Sequence, residues 1–200
     1  MGNVAGMAGV CSHQKGLLRG QTVIGEGAVL SREGLSNPVA WFALVIHQYK
    51  RQQCEQVLTD LGYEYFSPCT CVVREWSDRQ KRTQVPLFPG YIFCRFNPEK
   101  RLALLQIPGI VGIVGSSKRV LEIDPGEINA IRVALASRLP IEPVSELAPG
   151  LRVTVMQGPL RGLEGVLVRE KAQSRLLLSV TMLNRAVSVE VEANQLALLN

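Results

Sequence analysis

Residues 86–96 read PLFPGYIFCRF, and the reading of this stretch decides the fold. Pro89 and Gly90 stand side by side between two aromatics, Phe88 and Tyr91. Proline pre-sets φ and glycine accepts positive φ, so the pair specifies a tight turn. The apolar run Tyr91-Ile92-Phe93-Cys94 follows at once and reads as a buried strand. The stretch therefore predicts a core strand, Tyr91 to Phe96, entered through a tight turn that is either ordinary punctuation or one that holds Phe88 and Tyr91 out where another molecule can grip them.

Upstream, Val39 to Ile46 is apolar, with β-branched and aromatic residues, and reads as a central strand begun by Pro38. Lys50 to Leu61 reads as a helix: Cys54, Val57, Leu58 and Leu61 share one face, and Gly62 suits its close. Tyr63 to Phe66 is a short strand. Cys69 to Trp76 and Thr83 to Val85 form a hairpin around the polar segment Ser77 to Arg82, whose tip carries Arg79, Lys81 and Arg82. Downstream, Asn97-Pro98 opens a short helix that ends before Pro108-Gly109, and Ile110 to Val114 is a strand. Asp124-Pro125-Gly126-Glu127 is a stronger helix start, placing an N-cap, a proline at the first helical position and an acid at the third.

After about residue 138 the pattern changes. Residues 139–146, with two prolines and two acids, read as a semi-extended linker. Short alternating runs then succeed one another without a helical period, which suggests a small β-barrel over residues 147–200. The expected architecture is an α+β N-terminal domain (39–138), an antiparallel sheet flanked by helices, joined by that linker to a small all-β barrel. Residues 1–38 read as a flexible extension. Ala8-Gly9-Val10-Cys11 looks like a lipoprotein cleavage site, but no Lys or Arg and only a short, glycine-diluted apolar stretch precede it.

Composition excludes several classes. The chain has 200 residues, 46% hydrophobic and 20% charged, the balance of a soluble globular protein. No apolar run approaches the roughly 20 residues that cross a bilayer, so no membrane contact is expected. A net charge of +5 attracts anionic partners, chiefly nucleic acid or anionic lipid, although solubility alone also accounts for it. The five cysteines are odd in number and irregular in spacing, which argues against a secreted disulfide framework. Cys69-Thr70-Cys71 lacks the second pair that a zinc site wants, so no metal and no cofactor are expected. The only histidines, His13 and His47, sit with no nucleophile or repeated carboxylate, and no catalytic residue is assigned.

Two motifs carry a family resemblance. Pro149-Gly150-x-Arg152-Val153 followed by Gly158-Pro159-Leu160-x-Gly162-x-x-Gly165 resembles a KOW motif, and Phe88-Pro89-Gly90-Tyr91 resembles the signature of the NusG N-terminal domain. The order of elements over about residues 39–200 is also similar to that of the NusG transcription-factor family. Pro86-Leu87-Phe88-Pro89, the compact hairpin and the N-terminal extension resemble specialised RfaH-like paralogues.

The resemblance implies a monomeric cytoplasmic factor whose N-terminal domain grips the clamp helices of RNA polymerase and favours elongation or antitermination. It implies Trp41, Phe42, Phe88, Pro89 and Tyr91 as polymerase-binding residues. Alternate strand residues point to opposite faces, so one of Trp41 and Phe42 is expected to be core. Arg79, Lys81 and Arg82 would lie near DNA, in weak and salt-sensitive contact. Met182-Leu183-Asn184-Arg185 matches the loop that meets ribosomal protein S10 or the termination factor Rho. Leu183 and Asn184 stand there in place of the family's aromatic and glycine. The β-branched runs Val153-Thr154-Val155 and Val187-Ser188-Val189 predict a C-terminal domain that stays β. The competing reading is a KOW-containing RNA-binding protein of the translation machinery, against which the FPGY stretch argues.

Overall fold

The computed structural model describes residues 39–75, 80–116, 119–144, 150–170 and 173–199. The expected extension (1–38), the tip residue Arg79 and the last residues of the expected linker lie outside them.

The N-terminal domain contains β1 (Ala40–Ile46), α1 (Arg51–Asp60), β2 (Glu64–Phe66), β3 (Cys69–Glu75), β4 (Gln80–Pro86), β5 (Tyr91–Phe96), α2 (Arg101–Leu105), β6 (Ile110–Ile113), β7 (Glu122–Ile123) and α3 (Pro125–Ala136). Its main sheet runs β2-β5-β1-β6, with β7 also pairing β1, and all these pairings are antiparallel. Strands β3 and β4 form a separate two-stranded ribbon, Cys69 opposite Pro86 and Glu75 opposite Gln80.

Register divides the sheet into two faces. Trp41 opposes Arg95, Ala43 opposes Phe93 and Val45 opposes Tyr91, so these share one face, while Phe42, Leu44, Ile92 and Cys94 share the other. The second face is closed from within the domain. Phe42, Leu44, Ile92, Cys94 and Phe96 join Cys54 and Leu58 of α1 and Leu104 of α2 in one buried cluster. Helix α1 follows its predicted stripe for Cys54 and Leu58, whereas Leu61, beyond its last turn, is exposed. Its close is as expected, with Gly62 in the left-handed region.

Helix α3 begins where its signals place it. Asp124 Oδ1 accepts the Gly126 N–H at 2.8 Å, with Pro125 at the first helical position. Asn97 likewise caps the turn before α2, its side chain accepting the Glu99 N–H at 2.9 Å.

The C-terminal domain is all-β. It comprises β8 (Ile141–Val144), β9 (Leu151–Val155), β10 (Glu164–Glu170), β11 (Gln173–Val180), β12 (Arg185–Val191) and β13 (Leu196–Leu198), in the order β13-β9-β10-β11-β12-β8. Residues 141–144, read from sequence as linker, form an outer strand of this sheet. Ile141 opposes Val189 and Val144 opposes Ala186. The physical reason is that Ile141 is buried while Glu142 and Pro143 face out, and Pro143, having no N–H to donate, is tolerable on a strand at the edge of the sheet. The connection between the domains is thereby reduced to the four residues 137–140.

Candidate interaction face

The FPGY turn forms as its residues demand. The Tyr91 N–H donates to the Phe88 carbonyl at 3.1 Å, and Gly90 has φ +85°. Proline at the second position and a positive-φ glycine at the third are the requirements of a type II turn. The Gly90 carbonyl then accepts the Ile46 N–H at 2.9 Å, which ties the turn to the end of β1. The turn is thus fixed to the sheet, and its rings fall on the face that carries Trp41.

That face holds Trp41, Phe66, Phe88, Tyr91 and Phe93. Phe88 meets Phe93 edge-on at 5.2 Å between centroids, and Phe66 stacks on Phe93 at 6.2 Å. Helix α3 lies across one end. The Arg132 guanidinium sits over the Trp41 ring at 5.1 Å and the Phe66 ring at 5.2 Å, and reaches Glu64 at 3.5 Å.

Phe42 does not belong to this surface. It is fully buried on the opposite face, its ring 4.6 Å from that of Phe96. Of the Trp41–Phe42 pair, the strand's alternation assigns Phe42 to the inner core. Phe88 departs from expectation in another way: it is only 1% exposed. The turn seats Phe88 in an apolar cluster instead of displaying it, and that cluster does not stop at the N-terminal domain. It continues through Ile128, Ile131 and Ala134 of α3 into Leu176, Leu178, Val180, Val187 and Val189 of the C-terminal sheet. Sequence reading treated the two domains separately and had no signal for this junction.

Polar contacts confirm it. The Arg185 guanidinium lies over the Tyr91 ring, 5.6 Å from its centroid. Glu127, in the first turn of α3, accepts both the Thr181 N–H at 3.1 Å and the Thr181 hydroxyl at 2.6 Å through one oxygen. The segment 181–185 is the tip between β11 and β12. Thr181–Leu183 forms a 3-10 turn, and Asn184 adopts the left-handed conformation at φ 49° that asparagine tolerates. Leu183 packs against the shared cluster. The expected partner loop, Met182 to Arg185, and the expected polymerase-binding residue Tyr91 are therefore brought together in one place. Glu127, Thr181 and Arg132 were missed by sequence reading. Glu127 was legible only as a helix-start acid, because its cross-domain partner is 54 residues away.

The basic hairpin is only partly described: Lys81 and Arg82 lie on β4, opposite Arg74 and Val73. Beneath it, Arg51 pairs with Glu55 at 2.7 Å and approaches the Cys69 thiol at 3.0 Å. Burial pushes the Cys69 thiol up, opposed by the Arg51 charge. Burial, aided by Glu64, pushes the Cys94 thiol up to about 12. Among the described residues, no three His, Cys, Asp or Glu side chains group as metal ligands, and no helix is long and apolar enough to cross a membrane.

An α+β head bearing a ring-lined face, followed after a short connection by an all-β sheet, has the architecture that the resemblance to the NusG family implies. The family model described as "Transcription termination factor nusG" matches residues 39–132. The transcription termination/antitermination protein NusG of Vibrio vulnificus is 30% identical over 142 residues, covering 66% of this chain and 78% of that protein. NusG of Escherichia coli K12 is 28% identical over 144 residues, covering 69% and 79%. A solved structure on domain interaction in Thermotoga maritima NusG aligns over 82% of this chain and 98% of its own, at 16% identity and a TM-score of 0.46. The chain belongs to the NusG family of transcription termination/antitermination factors.

Proposed function

We propose that this chain binds RNA polymerase through the Trp41–Phe88–Tyr91 face of its N-terminal sheet and promotes elongation or antitermination, acting in the cytoplasm as a monomer without cofactor or catalytic step. The observation that carries the reading is the FPGY turn. Within the span that matches the family model, it fixes Phe88 and Tyr91 on the same sheet face as Trp41. A ring-rich patch suits the apolar seam of a helical partner, since buried aromatics dominate interface energetics. Pro89 shapes the turn. Lys81 and Arg82, with Arg79, would add a salt-sensitive contact to nearby DNA. The Met182–Arg185 tip recruits a second protein, ribosomal protein S10 or Rho.

The test is capture of core RNA polymerase by wild type, Phe88→Ala and Tyr91→Ala. Wild type should bind. Tyr91→Ala, half-buried and peripheral to the core, should bind at least tenfold more weakly while folding normally, a loss of about 1.4 kcal/mol or more. Failure of wild type to bind would defeat the reading. Equal binding by Tyr91→Ala would defeat the assignment of the face. The alternative role in translation predicts ribosome association without polymerase binding.

A further inference from the structure

We infer that Arg95 and Arg132 build a carboxylate-binding corner at the open end of the ring-lined face, and that the helical partner of this face presents an acidic residue there. This rests on the proposed polymerase face and names the chemistry by which the partner is read.

Register lays the corner out. Trp41 opposes Arg95, and Arg95 opposes Glu64, so the three form one row across β1, β5 and β2. Phe66 stands two positions along β2 from Glu64 and shares its face. Arg132 comes down from α3 over both rings, 5.1 Å from the Trp41 centroid and 5.2 Å from that of Phe66. The rings thus support the guanidinium from the sheet side. Trp41 and Phe88 are buried, but this corner is open: the side chains of Arg95 and Glu64 are 48% and 50% exposed, and that of Arg132 is 35% exposed.

The charges at the corner do not balance. One carboxylate serves both cations: Glu64 Oε2 accepts from Arg95 at 3.3 Å, and Glu64 Oε1 accepts from Arg132 at 3.5 Å. Both distances exceed the roughly 2.8 Å of a close charge-assisted bond. Among the described residues neither guanidinium has a second ion-pair partner, and Arg132 Nε is buried with no hydrogen-bond acceptor. Two positive charges against one negative leave a net positive corner beside the half-buried Phe66. An arginine fork resting on rings receives a carboxylate well, because its donors are pre-organised and water is excluded from one side of the contact. A helix whose apolar seam crosses the rings and whose flank carries Asp or Glu meets both requirements. Glu64 holds the fork in the free chain, and the incoming acid competes with it.

The experiment measures the affinity of the full-length chain for core RNA polymerase, with and without bound DNA, at low and high salt. The forms compared are wild type, Tyr91→Ala, Arg132→Met, Arg132→Lys, Arg95→Gln and Glu64→Gln, with folding checked by circular dichroism and urea midpoints. Methionine keeps an apolar stem over the rings and removes the charge. Arg132→Met should bind roughly fivefold to tenfold more weakly and lose part of the salt dependence. Arg132→Lys, which keeps the charge without the fork, should fall between it and wild type. Arg95→Gln, on the sheet and exposed, should bind roughly threefold more weakly. Glu64→Gln should bind roughly threefold more tightly, because the competing carboxylate is gone. A merely structural Glu64–Arg132 pair would not move the two variants in opposite directions. Unchanged affinity in folded Arg132→Met and Arg95→Gln overturns the corner, while a loss in Tyr91→Ala in the same series keeps the polymerase face. A loss seen only on polymerase carrying DNA would assign the corner to a phosphate and overturn the carboxylate. No binding by wild type defeats the polymerase reading and the corner with it.

Discussion

The two faces of the N-terminal sheet are covered by different means and to different degrees: Val45 and Tyr91 are half-buried and Arg95 exposed on one, while Phe42, Leu44, Ile92 and Cys94 are all buried on the other. Phe42, Leu44, Ile92 and Cys94 are covered by α1 and α2 of their own domain. Trp41, Phe93 and Phe88 are covered by α3 and by a cluster that extends into the second domain. The first cover is almost wholly apolar, with the Cys54 thiol in it donating to the Pro108 carbonyl at 3.7 Å. The second carries Arg132 on Trp41, Arg185 on Tyr91 and the Glu127–Thr181 pair. At Trp41 and Phe42, burial alone thus does not tell the two faces apart; the chemistry of what lies on top does.

The largest expected effect lies on the sealed face. Phe42→Ala should cost about 3–5 kcal/mol in equilibrium urea unfolding. A loss below about 1 kcal/mol would show that this face is not the structural core.

The next test concerns the turn that supports the same cluster. Gly109 has φ +107°, and an added Cβ would stand 2.8 Å from Cys54 Sγ and 2.9 Å from Lys50 Cβ. Gly109→Ala should therefore destabilise by about 1–3 kcal/mol, whereas Gly62→Ala, with positive φ but open space around it, should cost about 1 kcal/mol. Similar losses at both sites would mean that the crowding against Cys54 is relieved without cost.

On the shared face, Arg132→Ala removes a cation from two rings. It should cost about 1 kcal/mol in thermal unfolding and change the emission of Trp41. An unaltered spectrum would break the claim that polar covers lie on this side.

The smallest effect is a pH slope. Cys94 keeps its proton in the folded chain up to about 12, through burial first and the Glu64 charge second, while the unfolded thiol ionises near 9.0. The folded state then binds the proton more tightly, so its stability advantage holds below pH 9.0 and is lost as pH rises toward about 12. Urea midpoints should fall across that window, less steeply in Cys94→Ala. Equal slopes in the two proteins would place Cys94 in contact with water.

Local features of the fold were legible in the sequence, and the junction was not. Asp124-Pro125, Asn97-Pro98 and the Pro89-Gly90 turn each act on their own backbone within a few residues, so each was readable without knowledge of the rest. The alternation that separates Trp41 from Phe42 was readable for the same reason. The burial of Phe88, the placement of Arg185 on Tyr91 and the Glu127–Thr181 bonds depend on a meeting of segments far apart in the chain. Glu142-Pro143 suggested extended chain correctly, but its pairing with β12 depends on Ser188 and Val187, more than forty positions later.

That pairing sets the length of a leash. With β8 zipped onto β12, only residues 137–140 join α3 to the C-terminal sheet, and four extended residues reach roughly 14 Å. Within that span Arg138 sits at φ 61° and Ser137 Oγ donates to the Ala134 carbonyl at 2.6 Å, so even this short span is bent and tied back. A C-terminal domain on such a tether can pivot beside its neighbour but cannot travel far from it. Peeling β8 from β12 would add its four residues and about double the radius within which the arm can search.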